Sequence, residues 1–147
     1  IWERWDGWTP EKGFQDPGMN SFNHYSLGSC GEYLFGVICG INPASPGYKT
    51  ILIKPVICDG LTWAKASYDS IHGRIATYWK KNGKQLELDV IVPANTTATI
   101  CIPTNSGAKV TESGVGLAKA NGVSVIRHEP DSLVVNVGSG NYKFISK

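Results

Sequence analysis

The first eight residues, Ile1-Trp2-Glu3-Arg4-Trp5-Asp6-Gly7-Trp8, hold three tryptophans, two carboxylates and an arginine. These residue types suit the recognition and cleavage of a sugar. An indole stacks on the apolar C–H face of a pyranose, and a carboxylate binds hydroxyls or activates water. The chain opens on Ile1, inside this cluster, so the domain it begins is expected to belong to something larger. A plainer account fits the same residues. Clustered tryptophans are commonly core, and Glu3 beside Arg4 reads equally well as a surface ion pair. Composition alone does not choose between them.

A second segment lies downstream, Gly18-Met19-Asn20-Ser21-Phe22-Asn23-His24-Tyr25-Ser26-Leu27-Gly28. Together, the two segments closely resemble the end of the catalytic domain of bacterial α-L-rhamnosidases of the inverting, (α/α)6-barrel kind. That family shows a W-E-R-W-D element followed by M-N-S-[FL]-N-H-Y. Both stand here in order, with 24 − 3 = 21 residues between the glutamate and the histidine. The resemblance continues through Pro46-Gly47-Tyr48-Lys49, Leu61-Thr62-Trp63-Ala64-Lys65-Ala66 and Val92-Pro93-Ala94-Asn95-Thr96-Thr97-Ala98, to about residue 103. That run of segments is similar to the β-sandwich that closes those enzymes.

The resemblance implies roles. Glu3 takes the place of the proposed general base and His24 that of a residue contacting bound rhamnose, with Trp2 and Trp5 lining or supporting the pocket. No metal or other cofactor is implied. An inverting hydrolase also needs a protonated carboxylic acid across the sugar, about 6.5–9.5 Å from the base. In the family that acid lies upstream. Asp6, Glu11, Asp16 and Glu32 are available acids here, but none has its context. The expected partner is a rhamnose-containing glycoside bound by the whole enzyme, and this polypeptide alone is expected to be inactive. Two other classes stay open: a noncatalytic carbohydrate-binding module, favoured by paired exposed aromatics, and a purely structural accessory domain.

Length and composition bound these readings. The chain has 147 residues, one ordinary domain or one domain plus a piece of another. Hydrophobic residues make up 41% and charged residues 18%, the profile of a folded chain. A net charge of +2, with no basic run longer than Lys80-Lys81, gives no footprint for nucleic acid. No apolar stretch reaches the length of a membrane-spanning helix, and localisation is not legible. The four cysteines show no C-x-x-C or Cys/His metal spacing and read as buried free thiols, with a Cys58–Cys101 bridge left open.

The elements that would position these residues follow from periodicity. Residues 1–17 carry turn chemistry and read as loop. A helix is expected from Asn20 or Ser21 to about Cys39, burying Leu27, Cys30, Leu34, Val37, Ile38 and Ile41 on one face, although Gly28, Gly31 and Gly36 weaken it. Such an apolar face would fold back or self-associate through residues 20–39. Beyond Pro46 the period becomes two. Strands are expected at Thr50–Ile57, Thr62–Ser70, Arg74–Lys81, Gln85–Val92 and Thr96–Ile102. Weaker signals lie at Ala108–Glu112, Val123–Arg127, Leu133–Val137 and Tyr142–Ile145. Asn82-Gly83 signals a type I′ hairpin. The fold expected is mainly β: an antiparallel β-sandwich of Greek-key or jelly-roll kind, preceded by a loop and one α-helix left over from an (α/α)6 barrel. The domains expected are 1–45, the end of the catalytic domain, and 46–147, the sandwich. Of the sandwich aromatics, Trp63 and Tyr68 have opposite strand parity, so at most one should face solvent unless a bulge intervenes.

Overall fold

The computed structural model describes residues 1–105 and 109–147. The chain divides into two compact units, Ile1–Leu34 and Phe35–Lys147, a division upstream of the 45/46 boundary drawn from the sequence.

The first unit is mostly irregular. A short hairpin, β1 (Trp8–Thr9) and β2 (Gly13–Phe14), interrupts the stretch expected to be loop throughout. Helix starts at Tyr25, not at Asn20 or Ser21. It is broken into α1 (Tyr25–Gly28) and α2 (Cys30–Glu32), followed by a π-helical turn, Tyr33–Ile38, that carries the chain into the second unit. Glycines at 28, 31 and 36 remove side-chain contacts and raise the entropic cost of helix, which helps explain why no regular helix persists. The expected buried face also splits. Leu27, Cys30 and Leu34 are exposed, whereas Ile38 and Ile41 are buried in the sandwich core.

The carbonyls at the helix end explain where it stops. The last carbonyls of any helix need partners from outside it. Here the Asn42 side-chain amide donates to the Gly36 carbonyl and the Val56 N–H to the Val37 carbonyl. The Trp79 indole donates to Ile38, the Thr77 hydroxyl to Cys39 and the Lys54 N–H to Gly40. Gly40 has φ +75°, and a Cβ there would lie 2.2 Å from Pro55 N. Only glycine fits at this position.

The second unit is a β-sandwich. Its strands are β3 (Ile41–Pro43), β4 (Thr50–Ile53), β5 (Trp63–Ser70), β6 (Gly73–Asn82), β7 (Gln85–Val92), β8 (Thr97–Pro103), β9 (Val110–Glu112), β10 (Val115–Gly116), β11 (Val123–His128), β12 (Ser132–Val137) and β13 (Gly140–Ser146). One sheet runs β10-β9-β13-β7-β6-β5 and the other β11-β12-β8-β4-β3. Among the described residues every strand pairing is antiparallel except β4 with β8, which is parallel. The expected strand over Thr50–Ile57 ends at Ile53, just before Pro55, which has no N–H to donate. Of the signal at Ala108–Glu112, Ala108 lies outside the described residues.

Alternation places the core between the sheets. Leu86, Leu88, Val90 and Val92 of β7 are buried, with Ile75, Trp79 and Phe144 from the same sheet. Ile51, Ile53, Ile100, Ile102 and Val135 face them from the other sheet. The β6–β7 hairpin pairs Asn82 with Gln85, so its loop is Gly83-Lys84. Gly83 has φ +60° and Lys84 is not at positive φ, the pattern of a type II′ turn rather than the expected I′ turn centred on Asn82-Gly83.

Trp63 and Tyr68 both face solvent, contrary to the parity argument. They do lie on opposite faces, but β5 is the edge strand of its sheet. Tyr68, across from buried Ile75, is only partly covered, its ring 4.8 Å from that of Tyr48. Cys39 and Cys101 are buried and Cys58 half-buried, but Cys30 is exposed on the broken helix; all four are free thiols, so Cys58 and Cys101 form no bridge.

Candidate active site

Two backbone hydrogen bonds zip the start of the chain to the segment around His24. Glu3 N–H donates to the Ser21 carbonyl at 2.8 Å, and His24 N–H to the Ile1 carbonyl at 3.0 Å. The Asn20 amide donates to the Gly7 carbonyl at 2.8 Å, and a Cβ on Gly7 would lie 2.3 Å from Asn20 Oδ1. Gly7 is the one buried residue in the first unit. Each motif thus supplies the partner for the other's backbone, which is why the pair carries more information than either alone.

The zipper fixes Glu3 and His24 side by side. Glu3 Oε2 accepts from the Ser21 N–H at 3.0 Å. Glu3 Oε1 lies 3.5 Å from His24 Nε2, long for a hydrogen bond but close enough for attraction if the imidazole is charged. The two side chains keep 22% and 25% of their surface accessible, so the carboxylate is held and still open to water. Ser26 Oγ lies 3.1 Å from His24 Nδ1. A hydroxyl donated to Nδ1 favours the tautomer with its proton on Nε2, the nitrogen facing Glu3. The Tyr25 ring stacks on the imidazole, 5.9 Å between centroids.

Arg4 does not pair with Glu3. Its guanidinium reaches Asp6 at 3.1 Å, so the ion-pair reading of Glu3 and Arg4 fails and Asp6 is committed elsewhere. Trp2 packs edge-to-face on Phe22 at 4.7 Å, and Phe22 in turn on Phe14 at 5.7 Å. Trp5 is fully exposed. Asp16 accepts from the Gly18 N–H and caps a turn. The structure thus sets Glu3 beside His24 and packs Trp2 on Phe22, and leaves Trp5 on the surface. Ser21, Phe22 and Ser26 were missed as members of this site. Their only sequence signal is adjacency to His24, because a backbone donor, a ring edge and a hydroxyl leave no spacing rule. Among the described residues, no group of three or more His, Cys, Asp or Glu is placed to hold a metal, and no helix is long and apolar enough to cross a membrane.

The profile of the bacterial α-L-rhamnosidase C-terminal domain matches residues 40–116, and that of the bacterial α-L-rhamnosidase six-hairpin glycosidase domain matches residues 1–38. The chain belongs to the bacterial α-L-rhamnosidase family. It is 39% identical over 144 residues to the α-L-rhamnosidase of Streptomyces avermitilis and 35% identical over 147 residues to that of Formosa agariphila. These matches cover 98% and 100% of this chain but 13% and 16% of the relatives. The crystal structure of the Streptomyces avermitilis α-L-rhamnosidase complexed with L-rhamnose superposes with a TM-score of 0.79 at 38% identity, covering 100% of this chain and 14% of that one. The chain therefore spans about one seventh of the rhamnosidases it resembles. The Glu3–His24 cluster lies in the part matched by the glycosidase-domain profile, and most of the sandwich in the part matched by the C-terminal profile.

Proposed function

We propose that this chain is the C-terminal part of an inverting α-L-rhamnosidase, with residues 1–45 closing its catalytic (α/α)6 barrel and residues 46–147 forming an accessory sandwich. The substrate of the whole enzyme is a terminal α-L-rhamnoside. Glu3 is the general base: its carboxylate takes a proton from the water that attacks the anomeric carbon. His24 contacts the sugar and steadies Glu3 from the side. Trp2 supports the pocket through Phe22, and Trp5 meets sugar on the open side. The general acid comes from the upstream barrel, so this chain alone does not turn over.

The observation that carries the reading is the Glu3 carboxylate anchored by the Ser21 N–H beside His24. Such a carboxylate is fixed in direction, which a general base requires. Two other acids of the first unit are committed elsewhere: Asp6 is bound to Arg4 and Asp16 to the backbone of its own turn.

The test is hydrolysis of an aryl α-L-rhamnoside by the full-length enzyme containing this sequence, and by this chain, each with and without Glu3→Gln. The expected result is an inert chain, and a full-length kcat that falls by about 10²–10⁴-fold on substitution with KM little changed. Turnover by the chain itself, dependent on Glu3, would overturn the divided-site reading. An unchanged kcat would remove Glu3 from the base role.

A further inference from the structure

We propose a second, noncatalytic carbohydrate site on the outer face of the six-stranded sheet, formed by β5, β6 and β7. The register fixes which side chains share that face. Ile75, Thr77 and Trp79 of β6 are buried, so Arg74, Ala76, Tyr78 and Lys80 point the other way. Their cross-strand partners on β5 and β7 put Trp63, Lys65 and Ser67 on one side of them and Asp89 and Ile91 on the other.

Scattered apolar side chains are ordinary on a solvated sheet face, whereas adjoining ones mark binding surfaces. This one has an aromatic and aliphatic strip. Trp63 is 51% exposed, its ring centroid 6.5 Å from that of Tyr78, and Ile91 is 40% exposed. Ala76 and Ser67 are small and leave a groove of about 350 Å³ beside Tyr78. Polar groups of both signs converge there. Arg74 donates to Ser67 Oγ at 3.1 Å, Lys65 and Asp89 line the groove, and Lys143 stands 3.9 Å from Asp89 Oδ1. Asp89 Oδ1 is covered from water and makes no hydrogen bond. The side chain nonetheless keeps 42% of its surface accessible.

A ring face bordered by guanidinium, ammonium and carboxylate groups matches a pyranoside, whose C–H face stacks while vicinal hydroxyls both donate and accept. The groove volume lies at the low end of small-ligand pockets. A protein partner fits less well, because the centres of protein interfaces are depleted of lysine and carboxylates, whereas Lys65 and Asp89 sit inside this groove. The site does not depend on the roles of Glu3 and His24.

The experiment is a titration of the 15N-labelled chain with L-rhamnose, a rhamnan oligosaccharide and maltohexaose, each followed through the tryptophan indole N–H signals. Trp63→Ala identifies the Trp63 signal by its loss. The buried Trp79 indole, bonded to the Ile38 carbonyl, reports whether each variant is folded. At least one sugar is expected to shift the Trp63 signal, with affinity weakened about tenfold by Arg74→Ala and by Tyr78→Ala while the Trp79 signal stays in place. Binding should persist in Glu3→Gln and His24→Ala, which separates this site from the candidate active site. No shift of Trp63 with any of the three sugars at about 10 mM would overturn the proposal. So would binding that survives both groove substitutions.

Discussion

At the scale of single residues, Glu3 is oriented by main-chain geometry: a backbone N–H from Ser21 and the imidazole of His24 each claim one carboxylate oxygen. Glu3 and His24 were singled out in the sequence as candidates because a motif match points to side chains by position, and the fold sets them side by side. Ser21 and Ser26 were not, since any residue at 21 supplies an N–H and a hydroxyl at 26 matters only once the ring of His24 is oriented. Arg4 shows the reverse failure, because adjacency suggested Glu3 and the fold gave it Asp6. The thiols make a separate residue-scale case. Burial pushes the thiol pKa of Cys39 and of Cys101 up, and less thiolate at neutral pH means slower attack. Cys30 is exposed. We expect Ellman's reagent to label Cys30 first in the native chain, with Cys39 and Cys101 reacting only after unfolding. Equal rates for all four under native conditions would contradict the burial described.

At the scale of elements, the strands of the sandwich were mostly legible, and the reason is visible in β7. Its leucines and valines alternate with Glu87, Asp89 and Ile91, and that period-two signal survives any tertiary context that buries one face. The helix over 20–39 was misread because the same logic was applied across a junction. Ile38 and Ile41 sit at helical spacing from Leu34, but both belong to the sandwich core, and Ile41 starts a strand. Three-residue β3, ending on Pro43, gives no pattern to read. The parallel pairing of β4 with β8 joins residues too distant for any local rule. The carbonyls at 36–40, taken one by one by sandwich donors, make this junction intolerant of change. Gly40→Ala is expected to destabilise the fold by at least about 2 kcal/mol, since the new Cβ meets backbone rather than a movable side chain. Urea unfolding followed by far-UV circular dichroism checks this, and a midpoint within error of the parent would refute the close approach at Pro55.

At the scale of the whole molecule, the two units are unequal in what holds them. The sandwich has a continuous core from Ile38 to Phe144, whereas the first unit buries only Gly7 and exposes Trp2, Trp5, Trp8, Phe14, Tyr25, Leu27 and Leu34. Apolar exposure on that scale favours association between copies. We expect sedimentation velocity to show a coefficient that rises with concentration, and Leu27→Glu with Leu34→Glu to suppress the rise. A single monomeric species throughout would count against an adhesive first unit. The parallel pairing sets a clock on synthesis. Ile51 pairs with Ala98, 98 − 51 = 47 residues later, so at cellular elongation rates β4 waits roughly 2–10 s for β8 to emerge. Until then β3 can pair with β4 locally and β5, β6 and β7 can form their hairpins, but one edge of β4, carrying Ile51 and Ile53, stays open. A ribosome that stalls after β4 has left its exit tunnel and before β8 has followed would therefore hold out an apolar, unpaired strand, and nascent chains of that length are the ones most in need of a chaperone.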